Sequence, residues 1–219
     1  IAEAGLNVAL VGRKKEEDEH SSIEKVSKDL ESNYGVNTMT FHADLSNRQE
    51  THQVLEATID LDIGLLVTSA GFGTSGELID ASLEEELNML DLNCGALLMF
   101  THHFAKRFAS RKRGAIILLS SMVAFQGVPY AGHYAATNAY VQSLGEAIAL
   151  ELKPKNVDLL TAAPGPVNSN FGTRANMQMG KVLKPSDVGI EILKSLGKKH
   201  TVLPGFLTKI LVNSLRVLP

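Results

Sequence analysis

In the stretch HYAATNAY, Tyr134 and Asn138 stand four residues apart, so a helix would project both from one face. A phenol in such a place can donate or take a proton. The asparagine beside it can hydrogen-bond but brings no charge. Ser121 lies thirteen residues upstream, after the apolar run GAIILL, and offers a second hydroxyl. Taken singly, Tyr134 reads as a helix tyrosine packed on a neighbour, and Ser121 as a serine that opens a loop. Their joint spacing points to chemistry, and it needs a strand, a turn and a helix to bring the two together.

Such elements recur along the chain. Runs at 7–11, 38–42, 64–69, 115–120, 157–162 and 201–203 are β-rich, and most are continuously apolar, as strands buried on both faces are. Ile23, Val26, Leu30 and Tyr34 follow helical spacing. So do Leu97, Phe100, Phe104 and Phe108, then Val141, Leu144, Ile148 and Leu152. Val188, Ile192 and Leu196 mark another helix, ended by Gly197. Ser21 with Glu24, Ser46 with Gln49 and Ser82 with Glu85 resemble capping boxes. This alternation predicts an α/β fold, a Rossmann-like doubly wound parallel sheet with right-handed crossovers, as a single domain over 1–219. Ligands of such sheets bind beyond the carboxyl ends of the strands. The residues there are Gly12 and Arg13, Asp44 and Leu45, Ser69 to Gly73, Ser120 and Ser121, and Pro164 to Val167.

Composition narrows the possibilities. With 219 residues and 44% hydrophobic content, the chain can bury one proper core. A net charge of −3 and only short basic clusters give no footprint for nucleic acid or an anionic membrane. No apolar run approaches the roughly 20 residues of a spanning helix. A single cysteine, Cys94, excludes an internal disulfide and fits a reducing, cytoplasmic setting. Cys94 has no paired histidine and reads as a packed thiol. His102 and His103 are adjacent on a helix and make a poor metal pair; no metal is expected.

Taken in order, the strand ends resemble the short-chain dehydrogenase/reductase family over nearly the whole chain. The family's serine after one strand and tyrosine on the next helix match Ser121 and Tyr134 at the usual separation. Its Asn-Ala-Gly turn appears as Ser69-Ala70-Gly71, with serine replacing the common asparagine. Its helix asparagine matches Asn93 in DLNCGALL, its aspartate matches Asp44 in HADLS, and its Pro-Gly matches Pro164-Gly165, followed by Val167. The resemblance implies reduction of a ketone or aldehyde to an alcohol. Hydride transfer builds negative charge on the carbonyl oxygen, where Tyr134 would donate a proton and Ser121 a second hydrogen bond. The hydride must come from a cofactor, because no side chain supplies one. By resemblance, Asn93 would hold a relay water, Asp44 with Leu45 would contact the adenine, and the Ser69–Gly71 turn would approach the ribose. Pro164, Gly165 and Val167 would complete the cofactor contacts. The segment 168–180, with Asn170, Phe171, Arg174, Met177 and Met179, falls where the family places a substrate lid, and a homodimer or homotetramer is typical.

Cofactor preference is read where VALVG ends. An acidic residue there would grip a ribose 2′-hydroxyl, whereas an arginine accommodates a 2′-phosphate. The end here is Arg13, followed by Lys14 and Lys15, which favours NADP over NAD. Two departures from the family stand out. Its opening strand and glycine-rich turn have no counterpart: IAEAG reads as the last turns of the following helix, with Gly5 as its cap. These residues alone would then be expected to expose unpaired strand edges. The second departure is Asn138, where the family has the lysine that lowers the tyrosine pKa and holds the nicotinamide ribose. Asparagine keeps the hydrogen bond and loses the charge. The alternative reading is therefore a catalytically impaired nucleotide-binding relative, acting as a regulatory or interaction module. His133 precedes Tyr134 and could line the site, with a turn or surface role the favoured reading. The tail FLTKILVNSLRVLP, with Leu207, Leu211, Ser214 and Leu218 aligned, reads as an amphipathic helix that could cover the pocket, pack on another subunit or touch a membrane, core packing being the commonest fate of such a stripe.

Overall fold

The computed structural model describes residues 1–13, 23–175, 177 and 182–215. Lys14, Lys15, Ser21, Met179 and Leu218 lie outside the described residues. The chain divides into two compact units, Ile1–Leu61 and Asp62–Pro219.

The first unit opens with a tight turn, Ala2–Ala4, ended by Gly5 at φ 76° as its glycine cap. Strands β1 (Val8–Gly12) and β2 (Thr38–His42) pair in parallel, from Val8 opposite Thr38 to Gly12 opposite His42. Helix α1 (Ile23–Tyr34) lies between them in sequence. It is tied to β2 by Glu31, whose carboxylate accepts from the Thr38 hydroxyl at 2.7 Å, and by the pairing of Glu24 with His42. Helix α2 (Arg48–Ala57) is capped by Asn47, whose Oδ1 accepts from the backbone N–H of Gln49 and Glu50. Ser46 was the expected cap, but its N–H and hydroxyl are spent on the Asp44 carboxylate, which moves the helix start on by one residue.

The second unit holds a parallel sheet in the order β3-β4-β5-β6. Its strands are Leu65–Thr68, Gly114–Leu119, Val157–Ala162 and Thr201–Val202. Helices α3 (Leu83–Leu90) and α4 (Leu97–Arg111) are joined by a π-helical segment, Asp91–Ala96. Ser82 caps α3 through the Glu85 N–H, as its capping signal predicts. Helix α5 (Gly132–Leu152) lies against β4 and β5. A short α6 (Phe171–Arg174), then α7 (Pro185–Ser195) and α8 (Phe206–Leu215) follow. Ile117, Leu160 and Ala162 of the sheet pack with Val188 and Ile192 of α7 and Val202 of β6. Phe100, Phe104 and Phe108 form the buried stripe of α4. Contact between α5 and β5 is so close that a Cβ on Gly145 would meet the Thr161 hydroxyl at 2.0 Å.

Continuous apolar strands buried on both faces describe β4 and β5, but β1 and β2 have no fully buried residue. Those two strands form their own two-stranded sheet, and α1 buries no residue completely. The expected stripe on α8 is also displaced. Thr208 and Val212 face the core, whereas Phe206, Leu207, Ile210 and Leu211 are exposed. Thr208 is seated against Gly165, where a Cβ would meet its hydroxyl at 2.6 Å.

Candidate active site

Ser120 and Ser121 follow β4, where the Ser120 N–H is held by Ala162 and the Met122 N–H by Pro164. The two serines then separate in role. Ser120 is buried and donates its hydroxyl to the Asn138 backbone carbonyl at 3.0 Å, binding the turn to α5. Ser121 is left at the mouth of the turn, its hydroxyl 3.5 Å from the Val123 N–H and in hydrogen-bonding contact with the Tyr134 phenol.

Tyr134 is in the first turn of α5. Burial pushes its phenol above the usual range, and hydrogen bonds from Ser121 and Asn138 pull it part of the way back. No cation figures among the groups that shift it, among the described residues. Asn138 is buried, and its amide also donates to the Tyr134 backbone carbonyl at 2.9 Å. Position 138 therefore braces the turn that carries the tyrosine and supplies no charge.

The loop after β3 closes over the tyrosine ring. Gly73 lies so near that a Cβ there would meet both the Tyr134 ring and the Phe171 ring at 3.0 Å. Phe171 itself packs on Tyr134 with ring centres 5.4 Å apart. The Arg174 guanidinium stands 4.8 Å over the Phe72 ring, and the Ser75 hydroxyl donates to the Ala175 carbonyl at 2.8 Å. So the first part of the expected lid segment is fastened to residues 72–75.

Asn93 lies in the π-helical segment and anchors this loop. Its Oδ1 accepts from the Phe72 N–H at 3.1 Å, and its Nδ2 donates to the Phe72 carbonyl at 2.9 Å and the Thr137 hydroxyl at 3.2 Å. Gly71 allows that approach, since a Cβ would touch the Asn93 Oδ1 at 3.0 Å. Cys94, beside it, is a packed thiol with its pKa pushed up to about 11 by burial. Ser69 and Ala70 precede this turn and are exposed. Pro164, Gly165 and Val167 leave β5, and Val167 bridges Leu183 in parallel.

In the first unit, Arg13 stands at the end of β1 with its guanidinium 3.7 Å from the Asp44 carboxylate and nearly half exposed. Asp44 is held by Ser46, and the Leu45 carbonyl accepts from the Thr51 hydroxyl. Two contacts of the second unit are not legible in the local sequence. One is Gly73 with Phe171, a contact between residues 98 apart that no local pattern reveals. The other is the pairing of His133 with the buried Glu86, whose carboxylate oxygen is 2.5 Å from the His133 Nδ1.

These features define an α/β fold whose second unit sets a phenol and a hydroxyl together beyond the carboxyl end of a parallel sheet. A sequence model described as short chain dehydrogenase matches residues 1–180, and the chain belongs to this family. The 7beta-hydroxysteroid dehydrogenase of Mediterraneibacter gnavus is 28% identical over 212 residues, covering 94% of this chain and 79% of its own. The enzyme of the same name from Collinsella aerofaciens is 30% identical over 212 residues, with the same coverage. A solved structure concerned with 7beta-hydroxysteroid dehydrogenase stereoselectivity is 29% identical, with a TM-score of 0.86 over 98% of this chain and 83% of that one. A short-chain dehydrogenase from Sphingobium yanoikuyae in complex with NADPH has the same fold, with a TM-score of 0.85 at 22% identity over 99% of this chain and 86% of that one. Among the described residues, no helix is long and apolar enough to cross a membrane, and no cluster of potential metal ligands occurs.

Proposed function

We propose that this protein is an NADPH-dependent carbonyl reductase that works mainly in the reductive direction. The observation that carries the reading is the Tyr134 phenol, hydrogen-bonded to Ser121, raised in pKa by burial and with no cation among the described residues that shift it. A phenol of raised pKa is the neutral acid at physiological pH, which is the form a proton donor needs. Ser121 would hold the carbonyl oxygen and Tyr134 would protonate it as hydride arrives. The nicotinamide supplies that hydride when bound. In the opposite direction Tyr134 would have to act as phenolate, a form that the Ser121 and Asn138 hydrogen bonds favour less than burial opposes it. Asn93, which grips Phe72 and Thr137, would hold the water of the proton relay, and Asn138 would hydrogen-bond the nicotinamide ribose.

Arg13 supports NADP over NAD, because its exposed guanidinium suits a 2′-phosphate. Asp44 and Leu45 in the first unit, and Ser69, Ala70, Gly71, Pro164, Gly165 and Val167 in the second, are the remaining proposed cofactor contacts. Relatives named for 7beta-hydroxysteroids make a bulky, apolar carbonyl compound the favoured substrate class. A homodimer or homotetramer and a cytoplasmic location accompany this reading. The second reading, an impaired module that binds nucleotide without turnover, is favoured by Asn138. It gains support from the similarity to a human protein named inactive hydroxysteroid dehydrogenase-like protein 1, 27% identical over 179 residues.

The test is NADPH oxidation with a panel of apolar ketones and aldehydes, comparing the protein with Tyr134→Phe. The substitution should lower kcat by about a hundredfold to ten-thousandfold. Turnover indifferent to Tyr134→Phe would overturn the mechanism, and NADPH binding without turnover would favour the second reading.

A further inference from the structure

Helix α8 is held with an apolar face turned outward. Thr208 and Val212 are buried, and Thr208 is seated against Gly165. Lys209, the one charged residue of the helix, is turned to α7, where its Nζ meets the Glu191 carboxylate at 2.6 Å. The other oxygen of that carboxylate accepts from the Gly205 N–H at 3.0 Å, at the head of the helix. Phe206, Leu207, Ile210 and Leu211 are left on the opposite side as two i, i+4 pairs. All four are exposed, Phe206 by 78%. Turning this face inward would break the ion pair and unseat Thr208.

Cations accompany the face. Residues 182–214 carry five lysines against two acidic residues, a net charge of +3 within a chain of net −3. The overall balance conceals this segment. Lys184 opens α7 next to Leu183, which packs on Gly205, and Lys198 and Lys199 follow the end of α7; all three lysines are exposed. Burial opposes the charge of Glu191, but the Lys209 and Gly205 hydrogen bonds and the charges of Lys209 and Lys199 hold its carboxyl below the usual range. Lys199 is thus within electrostatic reach of the residue that anchors α8.

A stable protein interface takes about 20–30 residues a side, and this face offers four apolar ones. A second copy docked face to face would also set two groups of lysines against each other. An anionic lipid surface takes a short apolar helix face into its headgroup boundary and attracts the lysines beside it. We propose that α8 lays Phe206, Leu207, Ile210 and Leu211 into the surface of an anionic lipid bilayer, with Lys184, Lys198 and Lys199 at its headgroups. The contact is peripheral, since no helix among the described residues is long and apolar enough to cross a membrane. It holds whether or not the protein is a reductase.

The chain has no tryptophan, so Phe206→Trp places a single fluorescent reporter on the face. With vesicles of phosphatidylcholine and phosphatidylglycerol in equal parts, its emission should move to shorter wavelength and the protein should sediment with them. Binding to phosphatidylcholine alone should be about tenfold or more weaker, and binding to the mixed vesicles should fall as salt is raised. Ile210→Ser with Leu211→Ser should weaken binding about tenfold or more. Lys198→Ala with Lys199→Ala should cost about fivefold for each lysine on mixed vesicles and little on phosphatidylcholine. Both pairs are exposed, so the variants should melt as the wild type does. Failure to sediment with mixed vesicles would overturn the inference, as would binding indifferent to the substitutions on α8. A shift of emission that grows with protein concentration in the absence of lipid would assign the face to a second copy and overturn it as well.

Discussion

Replacing Asn138 by lysine tests the charge the site lacks. The wild-type amide donates to the Tyr134 backbone carbonyl and to the phenol, in a buried position. A lysine loses the backbone bond, which costs about 1 kcal/mol of stability. Its ammonium, placed beside the phenol, lowers the phenol pKa by about 1–3. Below its pKa the phenolate fraction rises tenfold for each step of one in that pKa, so alcohol oxidation at fixed neutral pH should rise about tenfold to a thousandfold. Reduction, which uses the neutral phenol, should change by less than about tenfold. The pH dependence fixes the sign. In the wild type, oxidation should climb with pH throughout the alkaline range, because the raised phenol is still protonated there. Asn138→Lys should move the plateau to lower pH. The assay is initial rates of NADP+-linked oxidation and NADPH-linked reduction of one alcohol–ketone pair from pH 6 to 10, roughly the span between the ordinary histidine and tyrosine values. Equal gains in both directions with no movement of the alkaline limb would refute the reasoning.

The two adjacent serines should behave differently. Ser121→Ala should lower kcat by about a hundredfold or more with little change in melting temperature, whereas Ser120→Ala should cost about 1 kcal/mol in stability, measured by denaturant unfolding, through the lost bond to the Asn138 carbonyl. Gly145→Ala should destabilise by about 1–3 kcal/mol, because its methyl would overlap the Thr161 hydroxyl, and Thr161→Ala in the same chain should recover much of the loss. Arg13→Ala should raise KM for NADPH about tenfold or more and leave KM for NADH nearly unchanged.

Strands were legible because their runs are apolar and bounded by turns; β2 and β5 begin and end where the pattern places them. Burial was legible only where packing is two-sided. The same apolar texture that marks β5 as core also occurs in β1, which is covered far less. The cap of α2 illustrates the limit of local reading, since Ser46 and Asn47 are both good caps and the choice was made by Asp44. At the site, Ser121 and Tyr134 could be found from spacing because the strand, turn and helix between them are of fixed length. The pairing of His133 with Glu86 could not, because 47 residues separate them and neither belongs to a periodic pattern. Nor could the grip of Asn93 on Phe72, made across 21 residues from a π-helical segment that the sequence DLNCGA does not announce.

The segment at 171–175 is held to residues 72–75 and to Tyr134 by several unlike contacts: the Ser75 hydroxyl on the Ala175 carbonyl, the Arg174 guanidinium over the Phe72 ring, and the Phe171 ring on Tyr134. Each is worth about 1 kcal/mol, and lifting the segment breaks them together. Loosening one of them therefore speeds the opening without abolishing the closed state.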